Sequence, residues 1–159
     1  MRAIWTRCVP ERCRRGRLLT LLPADRERGD APIVSRHTST LDHILAQAKP
    51  RIARHWSSCA EAGLSGFTPT ATGRVDGLLE TYFERLKALP DPAPTTAIIA
   101  EIETLFRELG EVNASCDGQL LETHERELLV PIIIEAASAA GLNTEDFQAG
   151  DPTFEFRTF

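Results

Sequence analysis

The chain has 159 residues, of which 42% are hydrophobic and 26% charged; these proportions suit one folded domain with a real core and argue against wholesale disorder or a membrane protein. Its net charge of −5 conceals a division: through His37 nine Arg face four acids (9 − 4 = +5), whereas from Thr38 onward nine Lys and Arg face nineteen acids (9 − 19 = −10). An acidic body repels phosphate backbones, so no nucleic-acid partner is expected, and a charged protein partner would be cationic.

Residues 1–37 are Arg-rich, hold Pro10, Pro23 and Pro32, and show no hydrophobic period of either helix or strand. They are expected to form a disordered basic leader outside a single helical domain at 38–159. The short apolar run Leu18–Leu22 is followed at once by Asp25, Arg26, Glu27 and Arg28, which does not suit a secretory signal. Val34, a residue that an alternative bacterial start codon can encode, lies just before the first helix signal, so the native protein is expected to begin near it.

That signal is Ser39-Thr40-Leu41-Asp42, a Ser-x-x-Asp arrangement of the capping-box type. Leu41, Ile44, Leu45, Ala48, Ile52, Trp56 and Cys59 follow at helical spacing, with Pro50 expected to kink or divide the helix and Gly63 and Gly66 to stop it. A second helix is predicted from about Thr72 to Leu89, on the stripe Val75, Leu78, Leu79, Tyr82, Phe83 and Leu86. Pro90, Pro92 and Pro94 end it, and Thr95 or Thr96 is expected to cap a third helix carrying Ile98, Ile99, Ile102, Leu105, Phe106, Leu109 and Val112.

Asp117-Gly118 marks the next turn, after which Thr123 is the expected N-cap of a fourth helix with Glu125 and Glu127 in its first turn, facing the positive end of the helix dipole. The apolar run from Leu128 to Ala140 leaves few polar positions, so this helix is expected at the centre, kinked at Pro131. Four of the seven Phe fall at 147, 154, 156 and 159. They predict an extended Phe-rich tail packed across the helices, or alternatively a docking or dimer contact. The fold class is all-α: a four-to-five-helix bundle with a disordered N-terminal leader and an extended C-terminal tail.

Chemistry-bearing motifs are few. There is no Glu-x-x-His, so a di-iron carboxylate bundle has no support. Gly63-Leu64-Ser65-Gly66-Phe67 departs from a nucleophile elbow at Phe67 and lacks the preceding strand. No phosphate-binding loop occurs. His55 and Cys59 stand four apart on a predicted helix, a spacing that lets two side chains grip one ion, but two further ligands are missing from the pattern and His43 is out of certain phase across Pro50. They are therefore read as a boundary residue and a core thiol, with no metal and no cofactor assigned. Cys59 and Cys116 are expected to be reduced thiols, with their pairing left open until geometry is known.

The functional expectation is a non-catalytic protein-interaction module of a bacterial cytoplasmic protein, whose specific form would be an immunity- or antitoxin-type inhibitor of a cationic partner. The interaction residues expected are Glu80, Glu84, Glu101, Glu108, Glu111, Phe154, Phe156 and Phe159. Two alternatives stand beside it. One is a small-ligand-binding or enzymatic bundle using His55, His124 or Tyr82 in a pocket between helices; the other is a structural homodimer joined through the tail.

Overall fold

The computed structural model of the protein describes residues 36–157. The expected leader through Ser35, the proposed start at Val34, and Phe159 lie outside the described residues. Four helices are present: α1 (Arg36–Glu61), α2 (Pro69–Ala88), α3 (Thr95–Ala114) and α4 (Thr123–Ala139), followed by three short 3₁₀ turns. The domain is an all-helical bundle with no strand among the described residues, and no described helix is long and apolar enough to cross a membrane.

Helix ends explain most of the departures from expectation. α1 starts at Arg36, a turn before the Ser39 signal, and runs through Pro50 undivided. At its other end Leu64 N–H donates to the Cys59 carbonyl and Gly63 N–H to that of Ala60, a Schellman closure made at low cost because Gly63 tolerates φ +78°. α2 begins at Pro69, with the Thr68 hydroxyl accepting from Ala71 N–H, so the Thr-Pro pair starts the helix before Thr72. α3 has Pro94 at its N-cap with no side-chain bond there, and Thr95 lies inside the helix. The cap of α4 is Glu122, which displaces the expected cap by one residue; α4 also passes through Pro131 undivided.

The predicted stripes form the core. Leu41, Val75, Tyr82, Phe83, Leu86, Ile98, Ile102, Leu105 and Ile133 are fully buried. Tyr82 directs its hydroxyl to the Ile133 carbonyl at 3.1 Å, satisfying a buried phenol, and burial pushes its pKa up. Trp56 Nε1 on α1 donates to Asp76 on α2 at 2.9 Å. α4 is less enclosed than its composition suggests, because Glu127, Pro131, Glu135 and Ser138 make an exposed face. Most of the large, fully buried side chains come from α2 and α3.

The tail packs on the helices as expected, but its path is not extended: residues 144–156 wind through three 3₁₀ turns. Asp151 accepts from the backbone and hydroxyl of Thr153, and Arg157 donates back to both Thr153 and Asp151. Such local side-chain bonding competes with an extended path. Phe147 and Phe156 pack part-buried on the core, whereas Phe154 is 61% exposed.

Candidate functional site

Two features lie at the end of the bundle where α4 begins. The loop after α1 and the loop before α4 are held against each other there: Ser65 Oγ donates to Gln119 Oε1 at 2.6 Å, and a Cβ on Gly66 would fall 2.7 Å from the Gln119 carbonyl oxygen. Only glycine permits this approach. Asn113 organises the second loop from the end of α3. Its Oδ1 accepts from the N–H groups of Leu120 and Leu121 at 3.1 and 2.8 Å, and its Nδ2 donates to the Leu121 carbonyl. The buried leucines 120 and 121 anchor the loop, and α4 starts directly after them.

The first feature is a cluster of unlike donors. His55 and Cys59 share one face of α1, as their spacing predicts, and α4 brings Glu125 to them. His55 Nε2 lies 2.6 Å from Glu125 Oε1 and 3.5 Å from Cys59 Sγ, and the three donor atoms are within 4.8 Å of one another. Glu125 is 6% exposed and His55 23%. The other carboxylate oxygen of Glu125 accepts from Glu122 N–H at 3.1 Å, which fixes the carboxylate in place while capping the helix. Around the imidazole, Phe67 stands edge-on at 6.2 Å, Trp56 is tilted at 5.5 Å and His124 stacks at 6.5 Å. A cavity of about 460 Å³ opens beside the cluster, lined also by Leu64, Ser65, Gln119 and His124.

This constellation does not suit cysteine nucleophilic catalysis. A relay uses both imidazole nitrogens, one toward the nucleophile and one toward the carboxylate. Here a single nitrogen faces both. Burial, with the Glu125 charge adding to it, pushes the Cys59 thiol up, away from the thiolate that a nucleophile needs. Cys59 and Cys116 are both free thiols, and Ser65 is occupied by Gln119.

The second feature is an open groove of about 1020 Å³ between α3, the start of α4 and the last 3₁₀ turn. Its walls carry Glu103, Glu111, Glu122 and Glu155 against Arg107 and Arg126, a balance of 2 − 4 = −2, over Ala114, Leu121 and Phe156. Glu122 and Thr123 border both groove and cavity.

Of the residues expected to act, Glu111 and Phe156 line the groove. Glu111 is paired with Arg107 at 3.1 Å, and the other glutamates likewise engage cations of their own chain. Glu80 pairs with Lys49 of α1, Glu84 with Lys87, and Lys87 also reaches Asp42. Arg85 lies between Glu101 at 3.1 Å and Glu108 at 2.8 Å, tying α2 to α3. Tyr82 is in the core and away from the cavity, and His43 is exposed and bonded to Gln47. Sequence reasoning missed Glu125, Glu103, Glu122, Glu155 and Asn113. Glu125 alone left a trace, its expected place in the first turn of α4 facing the helix dipole, which says nothing of a partner on α1.

No protein-family model matches the chain, and no curated protein or solved structure matches it.

Proposed function

We propose that the protein is a non-catalytic interaction module whose acidic groove between α3, the start of α4 and the tail receives a cationic segment of a protein partner. The observation that carries this reading is the groove's charge: four glutamates against two arginines over an apolar floor. Complementary charge of this kind steers association and selects partners. The acidic balance of 38–159 extends the same preference over the body. A cytoplasmic location and an immunity- or antitoxin-type role against a basic partner are the specific form of the proposal.

The test is titration of the full chain with a Lys/Arg-rich peptide as probe. Glu103 and Glu155 are exposed groove residues, so Glu103→Lys/Glu155→Lys is expected to weaken binding at least tenfold, while the equal charge change Glu61→Lys/Glu135→Lys, outside the groove, has a smaller effect. Equal losses in the two variants would reduce the interaction to non-specific attraction and contradict the reading.

A second reading, a small-ligand-binding or enzymatic bundle, is favoured by a separate observation, the convergence of His55, Cys59 and Glu125 beside a cavity of about 460 Å³. Ligand screening on chelator-treated protein, followed by Trp56 fluorescence with Trp5→Phe as background, tests it. Saturable binding lost in Phe67→Ala supports it, and no saturable binding removes it.

A further inference from the structure

Three donors of different chemistry meet at one point on this molecule: an imidazole nitrogen, a thiol sulfur and a carboxylate oxygen. Convergence on a shared point, with one imidazole nitrogen facing both partners, is what a chelated ion requires and a proton relay does not. We propose that His55, Cys59 and Glu125 form a site for a divalent transition metal of the zinc class. The inference deepens the second reading and is independent of what occupies the groove.

The dimensions fit. With ordinary zinc bond lengths, the edges of a tetrahedral site are about 3.6 Å from nitrogen to sulfur and about 3.3 Å from nitrogen to oxygen. The His55–Cys59 separation of 3.5 Å already has the first value. The His55–Glu125 separation of 2.6 Å is that of a direct hydrogen bond; it opens by less than about 1 Å when an ion takes the place of the shared proton. A mixed nitrogen, sulfur and oxygen set suits zinc or cobalt and suits calcium or magnesium poorly, because those ions take oxygen ligands.

The surroundings have the features of a prepared site. The free oxygen of Glu125 is held by Glu122 N–H, an outer contact that orients a ligating carboxylate. Phe67 and Trp56 flank the imidazole and limit solvent on that side. Three protein ligands leave a fourth position, and the adjoining cavity provides room for it. An open fourth position belongs to sites that take water or an exogenous ligand, and a closed structural site lacks it. The sequence pattern supplied only two ligands because the third comes from a helix 70 residues away.

The test uses the full chain, reduced and treated with chelator, and cobalt(II) and zinc(II) as probes. One equivalent of cobalt is expected to bind with a thiolate-to-cobalt absorption band and to be displaced by zinc. Cys8→Ser/Cys13→Ser/Cys116→Ser retains both the band and the stoichiometry. Cys59→Ser abolishes the band, and Glu125→Gln, which keeps an acceptor for the Glu122 N–H, weakens binding by more than the roughly 10–100-fold that loss of an outer partner costs. Helical circular dichroism of each variant separates loss of a ligand from loss of the fold. A folded protein without the band, or a band unchanged by Cys59→Ser, overturns the proposal. If metal-free protein still binds small molecules in that case, the second reading survives and the metal does not.

Discussion

Glu125 Oε1 on α4 lies 2.6 Å from His55 Nε2 on α1, while the other oxygen of the same carboxylate caps its own helix through Glu122 N–H. One buried side chain thus joins two helices and begins one of them. Glu125→Ala removes both bonds and leaves the Glu122 N–H without its protein partner, for an expected loss of about 2–3 kcal/mol. Glu125→Gln retains an acceptor for the cap and costs less. Thermal melts ordered wild type, Gln, Ala check this, and equal melting points for Gln and Ala would show that the cap contributes nothing.

Asn113 gathers the loop before α4 by accepting from two backbone donors and returning one bond. Asn113→Ala leaves the buried N–H groups of Leu120 and Leu121 without this acceptor, at an expected cost of about 3 kcal/mol. Asn113→Asp keeps the acceptor but buries a charge and sets a carboxylate oxygen against the Leu121 carbonyl, so it too is expected to destabilise, and less at low pH where the carboxyl is protonated. Urea unfolding of the three proteins measures both losses.

Gly66 sits where any Cβ would meet the Gln119 backbone at 2.7 Å. Gly66→Ala therefore forces the two loops apart, with an expected cost of about 1–3 kcal/mol. Gly73, on α2, has open space around its missing Cβ, and Gly73→Ala is expected to stabilise by up to about 1 kcal/mol through helix propensity. Opposite signs in denaturant midpoints are the result to look for.

The raised pKa of Cys59 has two consequences. Alkylation at pH 8 followed by peptide mass spectrometry should modify part-exposed Cys116 well before buried Cys59. The sign of the linkage is fixed as well. Below about pH 8.5 the thiol is protonated in both folded and unfolded chains; as pH rises further the unfolded chain releases its proton first, so this group's contribution to stability falls. Cys59→Ala should flatten that part of the stability profile. A profile unchanged by the substitution would remove Cys59 as its source.

What was legible in the sequence follows from how local each signal is. The stripes of α2 and α3 repeat within a few turns, and their members Leu79, Phe83, Ile102 and Phe106 are in the core. Helix ends were less legible, because Thr68-Pro69 and Glu122-Glu125 use capping chemistry that competes with equally plausible neighbours such as Thr72 and Thr123. The tail misled because Phe154 and Phe156 alternate like a strand, whereas the bonds among Asp151, Thr153 and Arg157 coil it. Two of the three members of the candidate cluster were visible, His55 and Cys59 on one helix face. Glu125 and the groove acids Glu103, Glu122 and Glu155 depend on how distant elements pack, and no local spacing encodes that.

Selection of a basic protein partner by the acidic groove is decided by quantitative capture from the native host with three baits: wild type, Glu103→Lys/Glu155→Lys and Glu61→Lys/Glu135→Lys. One basic protein is expected to be retained by wild type and by the Glu61/Glu135 variant and lost with the groove variant, with the bait itself monomeric on dilution. Retention unaffected by the groove substitutions, or a bait whose only partner is its own copy through the tail, would contradict it.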